Sequence, residues 1–569
     1  MDTKKHLNFK LLESLKIDFN FNKDFDNLSL GSLYGCSNSL LISLLSDKFN
    51  NICVLADSDI NVEKISSEIE FFNTKSRIIK LDDYGTLPYD EYSPPQNLVS
   101  DRIASLHNIL NKNQKIIITN ISTLFSKLPP KDFIKSRLLE IKKNSPLSYQ
   151  DIRNKLNEFS YFQTQKVIAP GEFAIRGSLI DIFPANRRYP VRIDFYGDSV
   201  ETIRSFDSEN QLTIEMIEEI TLLPARDFTL SKEVITKFRD NFRKDIDCNP
   251  SESNIYNKIT EGNIPAGIEY YLPLFFDNTA SLLNYLDKNT LIINIGNHIE
   301  SIDIIWKLIN DRYLESKRLS SEAKLKPQIA FNDPDKIKNT ISTFNNVALF
   351  DKRIDSSYPL YSNAETLYPI TVGDPSISKK IDRYLKSTNL QKILITSSSL
   401  GKKEILKKHL IDNNISTIDI NSWEDFINTD EGIYTSVSPI NDGVALPNLN
   451  LMIISSQLLG IEKPQQITRK YKKIKHSPEN IIKELTDLRI GSPVIHIEYG
   501  IGRYKGLEQI KTDNQNKVIT EFLAIEYADH DMLYVPVYNL HLISRYTGTS
   551  PDNAPIHKLG SDQWPKAQK

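Results

Sequence analysis

Between residues 24 and 130, short apolar runs alternate with polar stretches whose apolar positions recur at helical spacing. Asn51 to Ala56, Ile78 to Leu81 and Lys115 to Thr119 read as strands, and Val62 to Phe72 and Asp101 to Asn111 as amphipathic helices. That alternation predicts a parallel sheet covered by helices. From 165 to 228 the period drops to two. Phe173, Ile175, Leu179 and Ile182 make one apolar register and Val191, Ile193 and Phe195 another, which predicts a hairpin-built sheet. Gly197-Asp198, between Val191 to Tyr196 and Ser199 to Phe206, predicts a two-residue turn, because glycine reaches the positive φ the turn needs. Residues 229 to 365 return to mixed α/β patterning.

Residues 366 to 463 pattern as a further short α/β unit, with strands at Lys392 to Thr396 and Leu449 to Ser455 around the helical stretches Lys402 to Asn413 and Ser422 to Asn428. No motif in this unit points to a role. The basic run Arg469 to His476, followed by Ser477-Pro478, reads as a solvated tether, with a phosphate-contacting strap as the alternative. Residues 490 to 548 are all-β in pattern and short enough only for a small barrel. Trp564 to Lys569 look like the beginning of a charged helix without a cap, as in a truncated chain.

The length, 569 residues, makes about four domains the starting expectation. A hydrophobic fraction of 40% with 25% charged residues excludes a chain that stays disordered. Seventy Lys and Arg against 73 Asp and Glu leave a net charge of −3, so any contact with nucleic acid or protein must come from local patches. Cys36, Cys53 and Cys248 are too scattered for a disulfide framework or a thiolate zinc site, which suggests a reducing, cytoplasmic setting. No apolar run reaches the about eighteen residues of a membrane span, and no HExxH is present among nine histidines.

Four clusters carry candidate chemistry. Leu33 to Ile42 is a glycine turn ahead of an apolar helix, where a phosphate-binding loop would sit. Gly35 and Ser39 remain, but Leu41 stands where the lysine would be and Leu40 where a second glycine would be, so neither the charge nor the close backbone approach is available. Leu87 to Pro95 holds Asp90-Glu91 between tyrosines; with no His or Lys spaced to it, a rigid proline-bounded loop is the better reading. On the strands after Gly171, Arg176 and Arg192 occupy polar positions near Tyr196, residue types that anchor protein interfaces. Composition alone favours a solvated face with charge pairs to Asp194 or Glu172. In Gly491 to Gly506, His496 and Glu498 lack a third ligand, so a metal is not expected.

Two of these stretches resemble known families, in order. Gly171 to Phe206, with Leu87 to Asp90 ahead of it, is similar to the region that the excision-repair protein UvrB shares with the transcription-repair coupling factors. Gly491 to Tyr546 resembles the CarD-like RNA polymerase interaction module. The coupling factor family joins both in one chain, and its UvrB-like module has a decayed phosphate loop, in agreement with Gly35 to Ile42. The resemblance implies a multidomain α/β protein. Its parts would be a UvrB-like α/β domain (1–140 and 229–365), an inserted β-rich domain (141–228), a small α/β domain (366–463), a basic linker (464–484), a CarD/Tudor-like β-barrel (485–556) and the start of a connecting helix (557–569).

The resemblance further implies that Arg176, Arg192 and Tyr196 bind UvrA, with Tyr in place of the family's Phe. It implies that the strand carrying Phe522, Leu523 and Ile525 pairs with the polymerase β subunit. The family's motor, a superfamily 2 double-stranded DNA translocase using ATP and Mg, lies C-terminal to these modules. No catalytic residue and no cofactor is therefore expected in this chain, and DNA contact is expected mainly through the motor. The implied function is to bind stalled RNA polymerase, release it with the motor, and recruit UvrA for nucleotide excision repair. In the family another domain covers the UvrA face until the motor engages. The rival readings are a UvrB-type repair helicase subunit, opposed by Leu41, and a stand-alone CarD-like regulator, opposed by the match over 80 to 225.

Overall fold

The computed structural model describes residues 28–351, 360–361, 365–366, 392–459, 491–496, 500–511, 519–528, 531–536, 543–545 and 556, less the single positions 74, 112, 209, 320, 321 and 413. The basic run Arg469 to His476 and the terminal Trp564 to Lys569 lie outside the described residues. The chain divides into two compact units, Met1–Lys470 and Tyr471–Lys569.

The first unit opens with β1 (Leu28–Gly31), α1 (Ser37–Leu45), β2 (Asn51–Ala56), α2 (Asp59–Phe72), β3 (Arg77–Leu81), α3 (Gln96–Leu110) and β4 (Lys115–Asn120). The chain then leaves this sheet to build β5 (Phe162–Gln163), β6 (Glu172–Arg176), β7 (Leu179–Ile182), β8 (Val191–Tyr196), β9 (Ser199–Phe206) and β10 (Thr213–Ile217). It returns with β11 (Leu291–Ile295), β12 (Asn346–Leu349) and β13 (Leu360–Tyr361). The seven-stranded sheet, in the order β13-β1-β12-β11-β2-β4-β3, is parallel throughout.

Parallel sheets carry helical crossovers on both faces, so their strands must be apolar on both sides. In β2, Cys53 and Leu55 point to a core built with α3 and the helices of 232–341, whereas Ile52, Val54 and Ala56 point to a second core with α1 and α2. This is the physical content of the uninterrupted apolar run in the sequence.

The inserted six-stranded sheet, ordered β10-β9-β8-β7-β6-β5, is antiparallel except for β5 with β6. Gly197 has φ +58 and joins β8 to β9 as the sequence predicts. One register differs from expectation. The turn at Gly177, φ +61, sets Arg176 opposite Leu179 and Ile175 opposite Ile180. Ile180 and Ile182 therefore face the core with Phe173, Val191, Ile193 and Phe195, and Leu179 is only half-buried. Side chains alternate with a period of two, so the tight turn decides which set faces inward.

The small α/β domain contains β14 (Glu365–Thr366), β15 (Lys392–Ser397), α4 (Leu400–Asp412), β16 (Ile418–Asp419), α5 (Trp423–Asn428), β17 (Gly432–Val437), β18 (Val444–Leu446) and β19 (Leu451–Ser455). Its sheet runs β14-β18-β19-β15-β17-β16, with β14 and β18 antiparallel to their neighbours. Leu394, Tyr434, Val444 and Ile453 share one apolar cluster with Leu40, Leu41, Val54 and Phe72 of the first domain. Trp423 sits at the seam, 4.9 Å edge-to-face from Phe72 and 5.5 Å from Phe426.

The second unit is an antiparallel sheet of β20 (Pro493–His496), β21 (Gly500–Lys511), β22 (Ile519–Glu526), β23 (Met532–Pro536) and β24 (Ile543–Arg545), ordered β23-β22-β21-β20-β24. The described pairings leave this sheet open between β23 and β24, so barrel closure is not among them. Among the described residues no helix is long and apolar enough to cross a membrane.

Trp423→Ala removes the aromatic wedge at the seam and is expected to cost about 3–5 kcal/mol. Denaturant unfolding monitored separately in the first and small α/β domains should show both transitions moving together.

Candidate functional sites

The turn after β1 keeps the backbone of a phosphate loop and none of its charge. Gly35 has φ +59 and Cys36, ahead of α1, offers no side-chain cap. Leu40 and Leu41 are fully buried in the core beneath the helix, so position 41 supplies an apolar contact where a phosphate would need a cation. The Ser39 hydroxyl is likewise turned inward and donates to Glu68 Oε2 at 2.6 Å. Burial raises the Glu68 carboxyl to about 7, against the opposing pull of nearby Lys64 and of the Ser39 hydrogen bond. Gly35, Ser39 and Leu41 thus lie together, but as packing and internal hydrogen bonding.

The Leu87 to Pro95 loop is braced at each acid. Asp90 accepts from Leu87 N and pairs with Arg312 at 2.6 Å, and Glu91 pairs with Lys324 at 3.1 Å. Tyr89, at φ +65, donates its buried hydroxyl to the Leu325 carbonyl. Close behind, the Tyr84 hydroxyl donates to Asp227 at 2.6 Å while the buried Arg102 guanidinium lies 3.9 Å from the Tyr84 ring centroid. These contacts tie the loop to segments more than 100 residues away.

On the inserted sheet, register gathers the sequence-predicted residues on one face. Arg176 opposes Leu179, which opposes Asp194, and Asp194 lies between Arg192 and Tyr196 on the outward side of β8. Tyr196 is 79% exposed. Arg176 is exposed and donates to the Gln165 carbonyl at 2.9 Å. Arg192 differs. Its guanidinium makes a two-point contact with Asp181, at 2.6 and 2.9 Å, donates to Gln211 at 3.0 Å and stacks 4.6 Å from the Phe206 ring.

The charge pairs expected with Asp194 or Glu172 are therefore replaced. Asp194 pairs with Arg204 at 3.0 Å, and Glu172 accepts from Ile168 N and Ala169 N. Asp181 was legible as an acid inside an apolar run, but only cross-strand register reveals its partner. Leu212, just ahead of edge strand β10, and Ile214 and Met216 on it are also exposed; Met216 opposes Arg204, which opposes Arg192. Alternation over Thr213 to Ile217 was their one signal.

In the second unit, Leu523 and Ile525 are buried among Val494, Tyr504, Tyr527 and Val535, and face their own core. Phe522 lies in β22, opposite Glu508 and Pro536. Among the described residues β22 pairs with β21 along its length and with β23 over Phe522–Glu526, so both sides are taken at Phe522, Leu523 and Ile525. Strand addition at Phe522, Leu523 and Ile525, as the resemblance implies it, does not fit this register, because the backbone there already has a strand on each side. In the described order the outer strands are β23, where Tyr534 is exposed, and β24.

Three regions match known domains. Residues 139–228 match the UvrB interaction domain, 384–459 the MFD D3 domain, and 488–547 the CarD-like/TRCF RID domain. By class, then, this is a multidomain α/β protein carrying a UvrB interaction domain and a CarD-like domain on one chain. Its sequence is 30% identical over 558 residues to the transcription-repair-coupling factor of Haemophilus influenzae, covering 96% of this chain and 47% of that protein. The Escherichia coli factor is 30% identical over 547 residues (95% and 47%), and that of Bacillus subtilis 24% over 574 residues (95% and 47%). The chain belongs with the transcription-repair coupling factors and corresponds to their N-terminal region. It spans about half the length of the curated relatives it matches.

Two outcomes are expected. Asp181→Ala strands the half-buried Arg192 guanidinium and should cost about 3 kcal/mol, while Tyr196→Ala stays within about 0.5 kcal/mol by chemical denaturation. Folded Glu68 keeps its proton to about pH 7, whereas an unfolded glutamate ionises near 4.5. Between those values the folded state binds more protons, so this group makes stability fall as pH rises through that window, by at most about 1.4 kcal/mol per pH unit. Glu68→Gln should therefore raise Tm at pH 8 and change it little at pH 4.5, in paired thermal melts.

Proposed function

We propose that this chain is the docking half of a transcription-coupled repair factor: the CarD-like sheet grips RNA polymerase and the inserted sheet receives UvrA. What supports this most is the union of a UvrB interaction domain and a CarD-like domain in one chain that aligns with coupling factors along 96% of its length. The polymerase partner is its β subunit, met by strand addition at the outer edge of β23, where main-chain groups give affinity and the exposed Tyr534 gives register. The UvrA surface is centred on Tyr196 and Arg176. Arg192 serves chiefly to hold the face flat through Asp181, because a guanidinium already satisfied by a carboxylate has less to offer a partner.

Polymerase release and DNA translocation belong to an ATP-dependent motor in the remainder of the full-length protein. ATP and Mg act there, and the vestigial turn of this chain takes no part. The working sequence is docking on stalled polymerase, displacement by the motor, then recruitment of UvrA to the lesion.

Binding of purified RNA polymerase and of UvrA, each measured by titration, tests this reading. Tyr534→Asp is expected to weaken polymerase binding about tenfold or more and leave UvrA binding unchanged, and Arg176→Ala with Tyr196→Ala the reverse. Leu523→Arg should unfold the CarD-like sheet, seen as lost β-sheet circular dichroism, since it places a charge in the core. An unmutated chain that binds neither partner would sink the proposal.

A further inference from the structure

The small α/β domain, silent in sequence, presents the loop Ile440-Asn441-Asp442-Gly443 to the vestigial phosphate turn. A Cβ on Gly35 would collide with the Gly443 carbonyl oxygen and lie 3.4 Å from that of Asp442. Gly35 is thus hydrogen-only for a reason other than a phosphate: another backbone fills the space above it. The loop is stiff. Asn441 accepts through its carbonyl from Ser455 Oγ and through its side chain from Gln457 at 3.0 Å, and Ile440 N donates to Ser438 at 3.2 Å. Beside the turn, Lys64 on α2 clasps Asp442 at 2.6 Å. Beneath it, Trp423 and Val444 join the same apolar cluster as Leu40 and Leu41.

We propose that this loop is a built-in occupant of the vestigial nucleotide turn, and that the small α/β domain acts to close the turn and hold the first α/β domain in one fixed arrangement. The chemistry is complementary. Gly35 stands just ahead of α1, whose start is electropositive through the helix dipole and attractive to anionic oxygens. The Gly443 carbonyl brings a partial negative charge to that region without a free ion. Loss of the phosphate-binding lysine removes affinity for nucleotide, and the loop removes the space.

The test uses the full chain. Hydrogen exchange is followed at residues 36–42 and 440–446 in the unmutated protein, in Gly35→Ala and in Asp442→Ala, alongside titration of each with a fluorescent ATP analogue and Mg2+ up to about 1 mM. Gly35→Ala, which forces the carbonyl away, should speed exchange in both segments about tenfold or more, and Asp442→Ala about two- to fivefold. The unmutated protein should give no saturable nucleotide signal. Unchanged exchange in both variants would overturn the proposal, as would saturable nucleotide binding by the unmutated chain with protection at 36–42. If Gly35→Ala does not yield folded protein, the Lys64→Ala and Asp442→Ala pair decides, since Asp442 is exposed and Lys64 partly so, and both must loosen the same two segments.

Discussion

A parallel sheet has no face it can leave in water, and the arrangement of the first unit follows from that constraint. One face of the seven-stranded sheet is covered by α3 and the helices between 232 and 341. The other is covered by α1 and α2, and the small α/β domain packs its own sheet into that same apolar cluster. Covering is therefore shared between segments hundreds of residues apart. Trp423 and Phe72 mark the seam, where ring edge meets ring face and neither domain is complete without the other. The inserted β-rich domain, by contrast, has its own core of Phe173, Ile180, Val191 and neighbours, and its opposite face carries Arg192 and Tyr196.

That outward face is electrostatically quieter than its composition suggests. Arg192 is neutralised by Asp181 and Arg204 by Asp194, leaving a flat lattice of paired charges with Tyr196, Ile214 and Met216 standing out from it. Aromatic and aliphatic groups above a satisfied polar floor are the composition of an interface core, since they bury area without stranding charge. The CarD-like sheet solves a different problem. Its side chains at Leu523 and Ile525 go to its own core, and what it can lend to another protein is an edge.

The degenerate turn illustrates how backbone geometry outlasts chemistry. Gly35 keeps a positive φ, Ser39 keeps its hydroxyl and α1 keeps its position, yet each is now spent on internal contacts: with the Gly443 backbone, with Glu68, and with the core under Leu40 and Leu41. A site that is filled by protein needs no cation to balance phosphate, so a leucine at 41 is compatible with the fold.

Sequence by itself determined the local elements and the family. Runs such as Asn51 to Ala56 read as strands, Gly197 as a turn, and Leu41 at the lysine position as a mark against a working phosphate loop, because each of these depends on neighbours within a few residues. Tertiary structure alone decided the rest. It turned Leu179 outward and Ile180 inward through the turn at Gly177, paired Arg192 with Asp181 rather than Asp194 or Glu172, and buried Leu523 and Ile525 between two strands. It also set Gly443 on Gly35, two glycines 408 positions apart by their numbering. Register and packing are properties of chains side by side, and a period read along one chain carries the pattern of its faces but not which neighbour each face will meet.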